Sequence, residues 1–311
     1  MIIRWGLSSL GDLAGERPFV VAGPRWDTVL PDAPRWEEVP SDRIEVPAGV
    51  ETIVAVGGGS AIDTAKAASA ASGLPLVSVP TTYSGAEWTT FFGIRDPRRH
   101  QVGGGTGAKL HGIVYEPELT LGLPRGPTVG TALNALAHCA EALYAEGHNP
   151  AADEDALEGA RLICAWLPRV VEDGGDLEAR TGLLRGACHA GAALGGSMLA
   201  LGHAMAQALG GRYGLPHGAM NALCLPPALR FNAEAAPEAV ARFGAALGSD
   251  DPAGRVEQLA GLGGFERLRD FGVPEAELAD VAAAVVQRPG AKANPRPVSA
   301  AEVEQLLRSI W

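Results

Sequence analysis

The chain is short of cysteine, of positive charge and of long apolar runs, and each shortage excludes a class of protein. Its four cysteines, Cys139, Cys164, Cys188 and Cys224, are scattered without a C-x-x-C pair. That spacing excludes a disulfide framework and a zinc ribbon, and fits reduced, mostly buried thiols in a cytoplasmic protein. Acidic residues outnumber basic ones, 36 to 25, for a net charge of −11. Neither a nucleic-acid backbone nor an anionic membrane suits that balance, although local N–H groups can still hold an anionic ligand. The most apolar stretch, 190–202, lies between His189 and His203 and is too short to span a bilayer. The opening residues, MIIRWGLSSLGDLAGERP, hold no apolar run of the signal-peptide kind. Internal repeats and low-complexity segments are missing as well.

What remains is an ordinary globular composition, 47% hydrophobic and 20% charged over 311 residues, enough for two domains with a sizeable core. Residues 18–22 read as a buried strand and 42–46 as a weak second one. The intervening Pro- and Trp-rich stretch leaves scant room for crossover helices, so this part looks pared down. Residues 52–56 form another β-branched run, which stops at Gly57, Gly58 and Gly59. Ser60 and Asp63 then stand as a capping-box-like start to a helix. Glycines admit close backbone approach, and a helix N-terminus offers unpaired N–H groups, which together suit a pyrophosphate. Taken alone, the same residues also read as a plain strand-to-helix turn. A strand at 76–80 runs into the hydroxyl-rich loop 81–87, and a strand at 112–115 closes the α/β part. After the prolines at 124 and 127 the pattern is helical: 128–143, 151–171, one or two helices over 178–209, then 218–231, 235–246, 253–262, 275–287 and 299–309, the last capped by Ser299. This predicts an α/β, Rossmann-like but shortened dinucleotide-binding domain over 1–125. An all-α domain carrying substrate and catalytic residues follows over 126–311.

Three histidines have informative spacing. Asn134 and His138 share one helix face, His203 and Gln207 repeat the i, i+4 arrangement, and His217 stands at a loop-to-helix junction. A single buried histidine is commonly a core residue with one hydrogen bond; three, two with a polar partner one turn away, point to a site. His100, His111, His148 and His189 lack such partners and read as surface or core. Glu87 reads as a solvated loop glutamate ahead of an active-site carboxylate, and Asp153 and Asp155 as the acidic first turn of a helix.

In order, the motifs GGGSAIDTAK, PTTYSGAE, YEPELTLGLP, the Asn134-x-x-x-His138 helix and His203 with LPHG resemble the iron-containing alcohol dehydrogenase superfamily, and within it the maleylacetate reductase branch. LNALAHCAEALYA and NPRPVSAAEVEQLL strengthen the likeness, which covers residues 51–311. The resemblance implies a dinucleotide domain, a helical domain and a cleft between them for hydride transfer. It implies that Gly57, Gly58, Gly59 and Ser60 hold the pyrophosphate of NAD or NADP, with Asp63 beside them. Thr81, Thr82 and Ser84 would line the nicotinamide side. Metal-dependent members carry an aspartate where this chain has Asn134, and use it with the positions of His138, His203 and His217 to hold Fe(II) or Zn(II). A neutral amide is a weak oxygen donor, so no metal is expected here. Gln207 replaces another family histidine, the family's cofactor-side lysine falls near His100 with Lys109 out of register, and the N-terminal segment is shorter.

These features imply a metal-independent, NAD(P)H-dependent reductase of a small oxo-acid, enone or carbonyl compound, with a histidine supplying the proton. A redox-neutral cyclase or isomerase with a relic cofactor site is the alternative, and a non-catalytic scaffold a third reading. The expected partners are a small-molecule substrate and a second copy of the chain as a homodimer, with neither nucleic acid nor membrane.

Overall fold

Runs of β-branched residues build a parallel sheet in the first half of the chain. The computed structural model describes residues 1–96 and 101–311, in two units, Met1–Gly122 and Leu123–Trp311. In the first, strands β1 (Ile2–Trp5), β2 (Pro18–Ala22), β3 (Arg35–Trp36), β4 (Thr52–Gly57), β5 (Pro75–Pro80) and β8 (Lys109–Tyr115) form a six-stranded sheet in the order β1-β8-β5-β4-β2-β3. All of its pairings are parallel. Val20, Val54, Val56, Val77 and Val79 pack on one face with Leu10, Leu13 and Ala14, the last three from helix α1 (Leu10–Ala14). Phe19, Val21, Ile53, Ala55 and Leu76 pack on the other with Ile62, Ala65 and Ala68 of helix α2 (Gly59–Ser72). Burial on both faces is why these strands read as continuous apolar runs rather than alternating ones.

Two expectations are corrected here. Residues 42–46 are not a strand; β3 lies at Arg35–Trp36. The Arg35 guanidinium donates to the carbonyls of Val29 and Leu30, both at 3.1 Å, which seats the loop against the sheet. Ile44 and Val46 instead pack their side chains on the core from irregular backbone. Strand β1 and the antiparallel pair β6 (Phe92–Asp96) and β7 (Gln101–Gly105) have no counterpart in the sequence reading. His100 lies outside the described residues. Between β2 and β4 there is a 3-10 turn, Pro24–Trp26, and no α-helix, as the scant room foretold.

The second unit is helical: α3 (Arg125–Ala142), α4 (Pro150–Glu172), α5 (Leu177–Gly195), α6 (Leu201–Tyr213), α7 (His217–Asn232), α8 (Pro237–Leu247), α9 (Pro252–Gly261), α10 (Leu278–Val285), α11 (Pro289–Lys292) and α12 (Ala300–Ser309). The stretch 178–209 resolves into two helices that break at Gly195–Gly196. Ser299 caps α12 in a complete capping box with Glu302. Leu201, Met205, Leu209, Met220, Val281 and Leu307 anchor the core under α6, α7, α10 and α12. Glycine decides how close α3 and α7 come, since a Cβ on Gly218 would fall on the Gly130 backbone. Among the described residues no helix is long and apolar enough to cross a membrane. The four cysteines are free thiols, with Cys139, Cys164 and Cys224 buried.

Candidate functional site

Strands β4 and β5 end side by side, Gly57 opposite Pro80, and the Thr81 N–H donates to the Gly57 carbonyl at 3.0 Å. Gly57 has φ +150°, and a Cβ there would meet the Ala61 Cβ at 2.8 Å. One on Gly58 would meet the Thr82 methyl at 2.9 Å. Only glycine gives this turn its shape. The helix start differs from the sequence expectation: Gly58, not Ser60, is the N-cap of α2, and no side chain caps it. Ser60 is exposed within the first turn. The reason is steric: a glycine with no side chain brings the helix in two residues earlier and leaves its first N–H groups to a ligand. The Thr82 hydroxyl beside Gly58 is buried and has no hydrogen-bond partner among the described residues, and the Ser84 Oγ sits 3.6 Å from the Cβ position of Gly59. Glycines, helix N–H groups and an unsatisfied hydroxyl thus converge on one edge of the sheet, where parallel α/β folds bind phosphate groups.

Asp63 is turned away from that edge. It pairs with Lys66 at 3.2 Å and accepts the Gly93 N–H at 3.2 Å. Lys66, itself buried, also donates to Thr89 Oγ1 (2.8 Å) and the Phe91 carbonyl (2.9 Å). Burial holds its ammonium below the usual lysine range, against the pull of Asp63. Glu87 is not the solvated loop residue the sequence suggested. It is 1% exposed, accepts the Tyr115 hydroxyl at 2.8 Å, and leaves Oε2 without a partner among the described residues. The turn Ala86–Trp88 carries it inward. Burial raises its carboxyl above the ordinary 4.5, more than Tyr115 and Lys66 lower it. A carboxyl with a raised folded-state pKa contributes stability below its unfolded value and loses it as pH rises through the folded one. Glu87→Gln is therefore expected to gain on the parent protein as pH rises above 4.5, measured by urea unfolding. A pH-independent difference would refute the buried-acid assignment.

In the helical unit the expected residues come together. The rings of His138 and His203 stack at 4.8 Å with 12° between planes, and His217 lies 5.9 Å from His203. Asn221, which the sequence reading passed over, joins them. Its amide nitrogen donates to Asn134 Oδ1 at 2.6 Å and to His217 Nε2 at 3.0 Å. The Asn134 amide nitrogen faces His138 Nε2 at 3.5 Å. The glycine contact between α3 and α7 sets this up, because Asn134 and Asn221 each lie about one turn beyond Gly130 and Gly218. Burial, and then the neighbouring His203 and His217, hold the His138 imidazolium well below the usual 6.5, so that ring is neutral.

Glu141 is the second residue missed. Fully buried on α3, it brings Oε2 to 2.7 Å from His203 Nδ1, and His203 Nε2 is buried without a partner among the described residues. The signals were available in the spacing: Glu141 is three residues past His138, and Asn221 is four past His217. Gln207 lies half-buried one turn beyond His203. His189, expected to lack a partner, binds Asp155 at 2.8 Å, and Asp153 is buried against Arg242 at 2.7 Å. Asp153 does lie in the first turn of α4. Among the described residues no group of three or more His, Cys, Asp or Glu is arranged to hold a metal ion.

Residues 128–311 match the model of the Fe-containing alcohol dehydrogenase family, C-terminal part, and residues 44–110 match that of iron-containing alcohol dehydrogenase. The maleylacetate reductase of Sphingobium indicum is 39% identical over 255 residues, 82% of this chain and 72% of that protein. The crystal structure of maleylacetate reductase from a Rhizobium species superposes with TM-score 0.87 at 28% identity, covering 100% of this chain and 95% of the other. Sulfoacetaldehyde reductase from Bifidobacterium kashiwanohense in complex with NAD+ shares the fold, with TM-score 0.86 at 23% identity over 99% of this chain and 96% of that one.

Proposed function

The chain belongs to the iron-containing alcohol dehydrogenase family and is a reductase, and from that premise we propose that it reduces a small unsaturated oxo-acid with NADH or NADPH and without a metal ion. Maleylacetate, named in relatives 39% identical to this chain, is the first substrate to test. The metal-free part rests on the Asn221 amide. A divalent ion at this place would need the single lone pair of His217 Nε2, which already accepts an N–H group from Asn221. Asn134 also brings no negative charge, which Fe(II) or Zn(II) favours in a site otherwise made of neutral imidazoles.

The nucleotide half of the proposal rests on the glycine turn. Gly57, Gly58, Gly59 and Ser60 would hold the pyrophosphate through backbone N–H groups, and Thr81, Thr82 and Ser84 would line the nicotinamide side. Bound there, the nicotinamide supplies hydride. His203 Nε2 exchanges the proton, because it has no partner among the described residues while Glu141 holds the other nitrogen of the same ring. His138 and the two asparagines orient the substrate. The redox-neutral alternative depended on a degenerate cofactor site, and an intact turn with an unsatisfied Thr82 hydroxyl does not favour it. A homodimer and a cytoplasmic location stand as expectations from the family.

Thermal-shift titration tests the cofactor. A nucleotide at 100 times its Kd stabilises the folded state by about 2.7 kcal/mol, so NADH or NADPH is expected to raise the melting temperature in a concentration-dependent way. No shift at millimolar nucleotide would overturn the cofactor assignment. Elemental analysis of the purified protein is expected to find iron and zinc far below one per chain, and a stoichiometric metal would overturn the metal-free one.

A further inference from the structure

We propose that Glu141 is a positioning residue that uses one carboxylate to fix both the start of α6 and the tautomer of His203. Its kinetic consequence rests on the reductase reading above; its structural consequence does not. Helix α6 begins after Ala200, whose own side chain can cap nothing. Glu141, 59 residues earlier on α3, takes over: Oε2 accepts the Ala200 N–H at 2.6 Å and Oε1 the His203 N–H at 3.0 Å. A carboxylate among the free N–H groups of a first helical turn also meets the positive end of the helix dipole. The same Oε2 accepts from His203 Nδ1 at 2.7 Å. Both oxygens already accept backbone N–H groups, the setting of an acceptor rather than a donor, which places the hydrogen of this contact on Nδ1 and the lone pair on Nε2.

Glu141 is seated for this alone. Its side chain is 0% exposed, and a Cβ on Gly202 would meet Oε1 at 2.9 Å. The glycine before His203 is therefore required for the carboxylate to reach the helix end. His203 stacks one ring face on His138. The ring is thus held by a carboxylate on one nitrogen and by a neighbour on one face, with Nε2 as its reactive atom. This is how a buried carboxylate orients a proton-transferring imidazole without touching the substrate.

The test is 15N NMR of the full chain labelled at histidine, with the His203 signals assigned by their loss in His203→Gln. The expected result is the Nδ1–H tautomer for His203 in the native protein. The Nε2–H form there would overturn the proposal, and this measurement needs neither a variant of Glu141 nor a substrate. Glu141→Ala, and independently Gly202→Ala, are expected to populate the Nε2–H form. Both should lower kcat at least tenfold while leaving KM and the nucleotide-induced thermal shift near native. Loss of melting temperature with an unchanged tautomer would reduce Glu141 to a helix cap and likewise overturn it. Failure to turn over maleylacetate would count against the substrate assignment and leave the tautomer result standing.

Discussion

Alanine at His203 is expected to cut turnover by roughly two to four orders of magnitude, the usual contribution of a positioned acid–base group. Nucleotide binding should survive, because the glycine turn belongs to the other unit of the chain. Alanine at His138 should cost less. Both rings are buried and they touch each other, but their polar partners differ. His203 has a carboxylate on Nδ1, whereas His138 faces an amide at 3.5 Å and has Nδ1 without a partner. A neutral His138 can hydrogen-bond to substrate, but it has an amide and no carboxylate beside it to steady the ring while it carries a proton. Steady-state kinetics with NADH and thermal-shift titration on the two variants separate the cases. Equal losses would remove the distinction between a proton carrier and a binding residue. His138 also marks the acid limit of stability. A histidine with a depressed folded-state pKa contributes stability above its unfolded value, about 6.5, and loses it as pH falls. His138→Gln should blunt the loss of stability below that pH.

Valine at Gly218 is expected to be the most damaging small change in the helical unit. Its Cβ falls on the Gly130 backbone, which cannot turn aside as a side chain can. Overpacking of this kind costs about 1–3 kcal/mol, a fall of several degrees in melting temperature for a unit of this size. The consequence for function is larger than for stability. Moving α3 from α7 stretches the 2.6 Å contact between Asn134 and Asn221, and with it the hold on His217. Activity should fall further than the folded fraction, as measured by kinetics alongside thermal unfolding. A variant with reduced melting temperature and full activity would show that the glycine contact does not set the site.

The sequence carried the parts of the fold that depend on local chemistry. The doubly buried strands β2, β4 and β5, the Ser299 cap and most helices of the second unit announce themselves through apolar runs, period and cap residues. Elements that depend on distant partners were less visible. Strand β1 is a short edge strand with Ile2 and Trp5 largely exposed, so it lacks the apolar signature of its neighbours. Ile44 and Val46 alternate like a strand yet pack from a loop. Ser60 has the right chemistry for a cap and lost the position to Gly58, because the turn favours the residue without a side chain. In the site, His138, His203, His217 and Asn134 were readable from spacing. Glu141 and Asn221 were not singled out, since a lone glutamate on a helix is ordinarily solvated and its burial is known only from packing. Glu87 was misjudged for the same reason.

The two protons of the Asn221 amide are both directed inward, and the side chain's own oxygen is left buried without a partner. Together with the bare His203 nitrogen, this leaves two buried acceptors to which no described residue gives a hydrogen. A carbonyl or carboxylate, itself an acceptor, can dock there only if a hydron comes with it. Calorimetric titration of substrate in buffers of different ionisation enthalpy should accordingly register uptake of about one H+ per molecule bound.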